Sequence, residues 1–240
     1  MSGAAGPAGA DGLSTAAMLV LSFGTGVLDA ATYLGLDQVF TANMTGNVIF
    51  VGLGLADAED VPLLRATVAL VGFAMGAILA GTVQRGHHAR PNADVVAASL
   101  LMACALTVGG SALVLHLVDP GATVFDLLAG ALGAAMGAQA VAARRVAVGD
   151  VSTVVVTSTL AGLFAEAAWT GGTAGRATTL RRAGAVGTMF GGAVVGAFTL
   201  RAGVALPVAI SSGLLLVVAS TMVVRVVRDR RRDSLDAATG

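Results

Sequence analysis

Charged residues are so sparse along this chain that eight apolar stretches stand between them: Ser14 to Leu36, Val39 to Ala56, Pro62 to Gln84, Ala93 to Val118, Ala122 to Ala143, Val148 to Trp169, Arg182 to Leu200 and Val204 to Val227. A helix needs about 20 apolar residues to cross the hydrocarbon core of a bilayer. Six stretches meet that length, and the second and sixth are shorter or interrupted by polar residues. Only 12% of the residues are charged, against about 25% in an average soluble domain. The expected class is therefore an all-α membrane protein, with six transmembrane helices and two short re-entrant or broken segments.

The arginines decide between six and eight crossings. All 14 basic residues are arginine, clustered at Arg85/Arg90, Arg144/Arg145, Arg176/Arg181/Arg182 and Arg225 to Arg232. Basic loops face the cytoplasm. Eight crossings would put the first two clusters opposite the arginine-rich end. If the second and sixth stretches enter and leave on one side, every cluster is cytoplasmic and only Arg65 and Arg201 lie outside. This predicts a multi-pass protein of the plasma membrane with both termini cytoplasmic. Residues 1–13 form a disordered tail, 14–227 one transmembrane domain with halves 14–118 and 122–227, and 228–240 an arginine-rich tail.

The halves resemble each other. Leu64-Arg65 opens a helix with Gly72 and Gly76, as Leu180-Arg181 opens one with Gly187 and Gly192, and Thr45-Gly46 falls where Thr157-Ser158 falls later. Three spans per half invert the second copy relative to the first, an inverted 3+3 repeat of the kind that builds many secondary transporters. Small-xxx-small pairs, Gly72/Gly76, Gly133/Gly137, Gly187/Gly191 and Gly192/Gly196, suit close helix approach or a homodimer through glycine-rich faces.

The most unusual stretch runs from Val39 to Asn47, where Thr41, Asn43, Thr45, Gly46 and Asn47 interrupt apolar sequence. It reads as an extended piece feeding a helix, with Asn43 or Thr45 as N-cap. A helix that begins inside a bilayer points free N–H groups and a positive dipole end into the protein, where they can hold an anion or polar solute. A weaker copy runs from Val151 to Thr159. Gly26-Val27-Leu28-Asp29-Ala30, the 39–47 stretch, Gly137-Ala138-Gln139 and the Thr-rich second stretch together resemble the YoaK-like family of bacterial membrane proteins, a family of unknown function. The resemblance covers most of the chain and implies a membrane fold in the cytoplasmic membrane, without a substrate. Val155 and Ser158 stand where the first copy has Asn43 and Gly46.

Asp29 lies inside the first span, where a charge costs several kcal/mol unless paired or hydrated. It is either protonated and coupling a solute to protons, or a buried carboxyl capping the interrupted helix through Thr45, Asn43 or the segment's N–H groups. The candidate solute-binding set is Asp29, Asn43, Thr45, Gly46, Asn47, Gln139, Thr153 and Thr157. Asp126 and Glu166 read as interfacial acids, Tyr33 as an anchor at the outer end of the first helix, and Cys104 as packing. Three scattered histidines make no metal site. No phosphate loop, catalytic triad or cofactor motif is present, so neither an enzyme nor a cofactor is expected, and a net charge of zero gives no reason to expect nucleic acid. The resulting expectation is a secondary transporter or permease for a small polar solute, anions included, with proton coupling through Asp29. A passive channel and a non-transporting accessory protein are the alternatives.

Overall fold

The computed structural model describes residues 8–86, 93–118, 121–146, 156–166 and 175–239. They form eight helices, α1 (Ala8–Gly35), α2 (Met44–Leu55), α3 (Leu63–Arg85), α4 (Ala93–Leu117), α5 (Ala122–Val146), α6 (Val156–Ala165), α7 (Arg176–Thr199) and α8 (Ala205–Thr239). A 3-10 turn at Leu200–Ala202 joins the last two, and no strand occurs among the described residues. Among the described residues six helices are long and apolar enough to span a membrane, and α2 and the described α6, with 12 and 10 residues, are not. The chain is an all-α multi-pass membrane protein in contact with lipid.

Two boundaries differ from expectation. Helix α1 starts at Ala8 rather than Ser14, and α8 runs on to Thr239 through the arginine-rich end. At 35 residues α8 is about 52 Å long, well beyond the roughly 30 Å hydrocarbon core. Its charged end is a helical extension of the last span.

Helices α3 and α5, α1 and α7, and α4 and α8 form the three most extensive pairs, α4 also meets α5, α1 meets α8, and α1 touches α5. Leu21, Leu28, Leu101, Leu132, Val108 and Val208 are fully buried where these helices meet. Glycine allows the first two pairs to close up. A Cβ at Gly72, Gly76 or Gly137 would overlap a backbone carbonyl across the α3/α5 contact, and one at Gly26 or Gly192 would do so across α1/α7. In lipid, where no hydrophobic force drives helices together, this close approach supplies the van der Waals contact that holds them. Helices α3 and α7 lie outermost, with 28% and 17% of their spans buried inside the protein, and large side chains such as Ile78, Leu79, Phe190 and Phe198 face outward.

Candidate functional site

The site is built where α1 ends and the chain turns back. Leu36 closes the last turn of α1, and the Gln38 N–H reaches the Tyr33 carbonyl at 2.9 Å. That closure requires a left-handed residue just past the helix, usually glycine. Here Asp37 and Gln38 fill it, at φ 59° and 60°. Asp57, after α2, does the same at φ 55°, with the Ala58 N–H on the Leu53 carbonyl. A left-handed L-residue costs roughly 1–2 kcal/mol, so side chains are kept at these turns at some expense.

From Asp37 the chain descends beside α1 until Asp29 stops it. The Asp29 Oδ1 accepts the N–H groups of Thr41 at 3.0 Å and Ala42 at 2.8 Å and the Thr41 hydroxyl at 3.4 Å, and Oδ2 accepts the Asn43 N–H at 3.0 Å. Consecutive backbone N–H groups form an anion-binding concavity, and here a carboxylate of the same chain fills it. Asp29 and Thr41 are buried. Because Asp29 lies six residues before the end of α1, the tip of the hairpin sits about 9 Å below that end. Helix α2 then climbs back toward the start of α3, where Gly54 packs on the Leu63 side chain. This places 37–62 as a re-entrant hairpin.

Asn47 secures the descending arm. Its Oδ1 accepts the Phe40 N–H at 3.1 Å, and its Nδ2 donates to the Phe40 carbonyl at 2.6 Å, as a neighbouring strand would. Both bonds are shielded, since Asn47 is fully buried. The Phe40 ring stacks on Tyr33 with centroids 4.9 Å apart and on Phe50 at 6.1 Å. A Cβ on Gly46 would come within 2.6 Å of the Phe40 ring, which is why glycine stands there. Tyr33 thus joins an aromatic cluster holding α2 against α1.

Of the sequence-derived candidates, Asp29, Gly46 and Asn47 come together around this hairpin with their functional groups turned to the protein itself. Asn43 occupies the N-cap position of α2 but makes no side-chain cap bond, and its side chain and that of Thr45 are exposed at the tip. Thr45 does not reach Asp29, whose partners are Thr41, Ala42 and Asn43. Gln139 is buried on α5. Thr157 is exposed in the first turn of α6, and Thr153 lies outside the described residues.

Residues 17–221 match the family described as "Protein of unknown function (DUF1275)". The chain belongs to that family. It is 31% identical over 148 residues to the UPF0700 transmembrane protein YoaK of Bacillus subtilis (strain 168), a match that covers 61% of this chain and 64% of the relative, under two thirds of the relative's length. No solved structure matches. The DUF1275 match spans the re-entrant hairpin and all six apolar helices, in part or whole.

A second polar cluster of this DUF1275 protein was not anticipated. Arg65, in the first turn of α3, directs Nε to Asp126 of α5 at 2.8 Å and Nη1 to Asp37 at 2.9 Å and to the Leu36 carbonyl at 3.2 Å. The guanidinium lies 5.5 Å from the Phe125 ring centroid, and the Arg65 side chain is only 9% exposed. Asp126 is therefore a partly buried partner of Arg65, not merely an interfacial acid. Its signal in sequence was an Arg and an Asp each placed within the first turns of an apolar helix. Glu166 instead pairs with Arg182 at 2.8 Å, and 54% of its side chain is exposed. Among the described residues no group of three or more His, Cys, Asp or Glu could hold a metal ion.

Proposed function

We propose that this protein is a secondary transporter for a small polar solute, anions among the candidates, built as an inverted repeat. The observation that carries the proposal is the re-entrant hairpin: a helix start is held inside the membrane span by a buried carboxylate, with the polar side chains of Asn43 and Thr45 left exposed at its tip. Irregular backbone at such depth persists only where protein or a water-filled cavity surrounds it.

The packing supports the repeat. One shift in numbering takes Phe23 and Gly26 to Ala134 and Gly137, and another takes Phe73 and Gly76 to Met189 and Gly192. Gly76 closes on the Ala134 carbonyl as Gly192 closes on that of Phe23, and Gly137 closes on Phe73 as Gly26 closes on Met189. Exchanging the halves also carries α3/α5 into α7/α1, α4/α5 into α8/α1, and α2/α3 into α6/α7, all of which are observed pairs. In this arrangement the arginine clusters share one side, which we assign to the cytoplasm together with both termini, and the location is the plasma membrane. Three of the four glycine pairs are engaged within the chain, which leaves Gly187/Gly191 as the pair for a homodimer through glycine faces, since Gly187 has nothing within 4 Å.

Asn43 and Thr45 would contact the solute, with Thr157 and Gln139 contributing from the second half and Thr153 preceding α6. Asp29, Gly46 and Asn47 shape the tip. Protonating Asp29 would remove acceptor capacity from the Thr41–Asn43 amides and loosen the tip, which is how this carboxylate would couple solute to protons. Counterflow into proteoliposomes, using a panel of labelled small anions and neutral polar solutes, tests the proposal. Saturable flux that falls at least tenfold in Asn43→Ala/Thr45→Ala supports it, and loss of pH dependence in Asp29→Asn supports coupling. No flux for any solute with wild-type protein of unchanged fold would favour an accessory role. That second reading draws on the internal partners of Asp29 and Asn47, which would hold the hairpin just as well in a purely structural protein.

A further inference from the structure

The α2 hairpin is attached differently from the six long helices. The long helices meet along broad apolar faces, whereas α2 has its extended contact with α3 alone and turns Val48, Ile49, Leu53 and Leu55 outward. All four left-handed non-glycine residues in the described chain bracket it, Asp37 and Gln38 before and Asp57 and Asp60 after. Strained turns at both ends of one short element, whose helix packs broadly on α3 alone, mark a segment that can move as a unit. Its tip is seated on Asp29, and its entry turn is tied by Asp37 to Arg65.

We propose that Arg65 is the latch of this hairpin. The guanidinium joins the entry turn, through Asp37 and the Leu36 carbonyl, to the first turn of α5, through Asp126. While all three contacts hold, α1, α3 and α5 are fixed at one end, the strained Asp37–Gln38 turn is kept in place, and the Asp29 seat is closed from that side. Losing the Asp126 contact leaves a buried guanidinium short of a carboxylate. Arg65 then swings outward toward Asp37, whose side chain is 71% exposed; the entry turn relaxes and the seat opens. The inference rests on the transporter reading for its purpose, since such a carrier needs a gate on each side.

Thiol labelling tests it without a solute. In a Cys104→Ala background, Ala42→Cys places a reporter at the buried seat and Ala98→Cys a control in the fully buried face of α4. Sealed vesicles of each orientation are treated with a membrane-impermeant cationic methanethiosulfonate. Asp126→Asn is expected to speed labelling of Ala42→Cys at least tenfold from the Arg65 side alone, Asp37→Asn to speed it less, and Arg182→Gln to leave it unchanged. An unaltered rate in both Asp126→Asn and Asp37→Asn overturns the latch, as does equal acceleration at Ala98→Cys, which would mean general loosening. Should Asp126→Asn fail to fold, Asp37→Asn, altering a mostly exposed side chain, decides alone. A failed latch leaves the counterflow result standing, and absent flux leaves the labelling result standing.

Discussion

The two halves of the molecule share their apolar contacts and differ in their polar ones. The shifts that superpose the glycine contacts carry Arg65 to Arg181, Asp126 to Thr15, and Asp29 to Ala140, with Gln139 falling at the place of Leu28 rather than that of Asp29. The first half's buried Arg65 meets two carboxylates, Asp37 of its own half and Asp126 of the other, and its buried Asp29 meets three amides. In the second, Arg181 donates to Thr178 at 3.3 Å while its buried Nε has no acceptor, and alanine stands at the place of Asp29. Close packing thus defines the framework of both halves, whereas the polar ties differ in kind: the first short helix is seated on the buried Asp29, and α6 is tied to α7 by Arg182, which donates to the Gly162 carbonyl at 3.0 Å and pairs with the half-exposed Glu166. The difference is physically reasonable. A glycine contact depends only on small residues, and two helices can keep it through large sequence change; a buried ion pair is lost when either partner changes.

The comparison breaks or sharpens most visibly at the arginines. Arg65→Ala is expected to cost about 3–5 kcal/mol, because it leaves Asp126 without its partner, and Arg181→Ala under about 1 kcal/mol. Reversible unfolding in detergent micelles measures both, and equal losses would erase the contrast. Next, Asp29→Ala strands three amides and should cost about 3 kcal/mol, at roughly 1 kcal/mol each, while Ala140→Gly should cost about 1 kcal/mol, the ordinary helix penalty. Gly76→Ala and Gly192→Ala push a methyl into a carbonyl across equivalent contacts and should each cost about 2 kcal/mol. Here the prediction is sameness, and a difference of twofold or more between them would count against equivalent packing. Smallest of all, Asn43→Ala and Thr45→Ala, exposed and without side-chain bonds, should stay within about 0.5 kcal/mol of wild type even if they abolish flux.

Much of the fold could be read from residues near one another in the chain. Run length, polar interruptions and the placing of the arginines together separated the six spans from the two short segments, and the interruption at Thr41 to Asn47 marked the re-entrant tip. The glycine pairs marked helix faces that approach closely. Asp29 was identifiable as a group needing partners, because a carboxyl inside an apolar span cannot be left alone. Its partners were only partly legible. Thr41 and Ala42 supply the amides through backbone that any residue would provide, so no side chain announces them.

What the chain alone determined is its class, its spans and the places where polarity must be resolved, since hydropathy and helical spacing are local properties. Tertiary structure alone decided which group resolves which. Arg65 finds Asp126 across 61 positions of sequence, Asp37 accepts a left-handed turn and turns its carboxylate toward Arg65, and the hairpin's amides close on Asp29 rather than remaining free for a ligand. Those choices follow from chain reversal bringing distant groups within hydrogen-bonding distance in a medium of low polarity, where an unmade bond is costly.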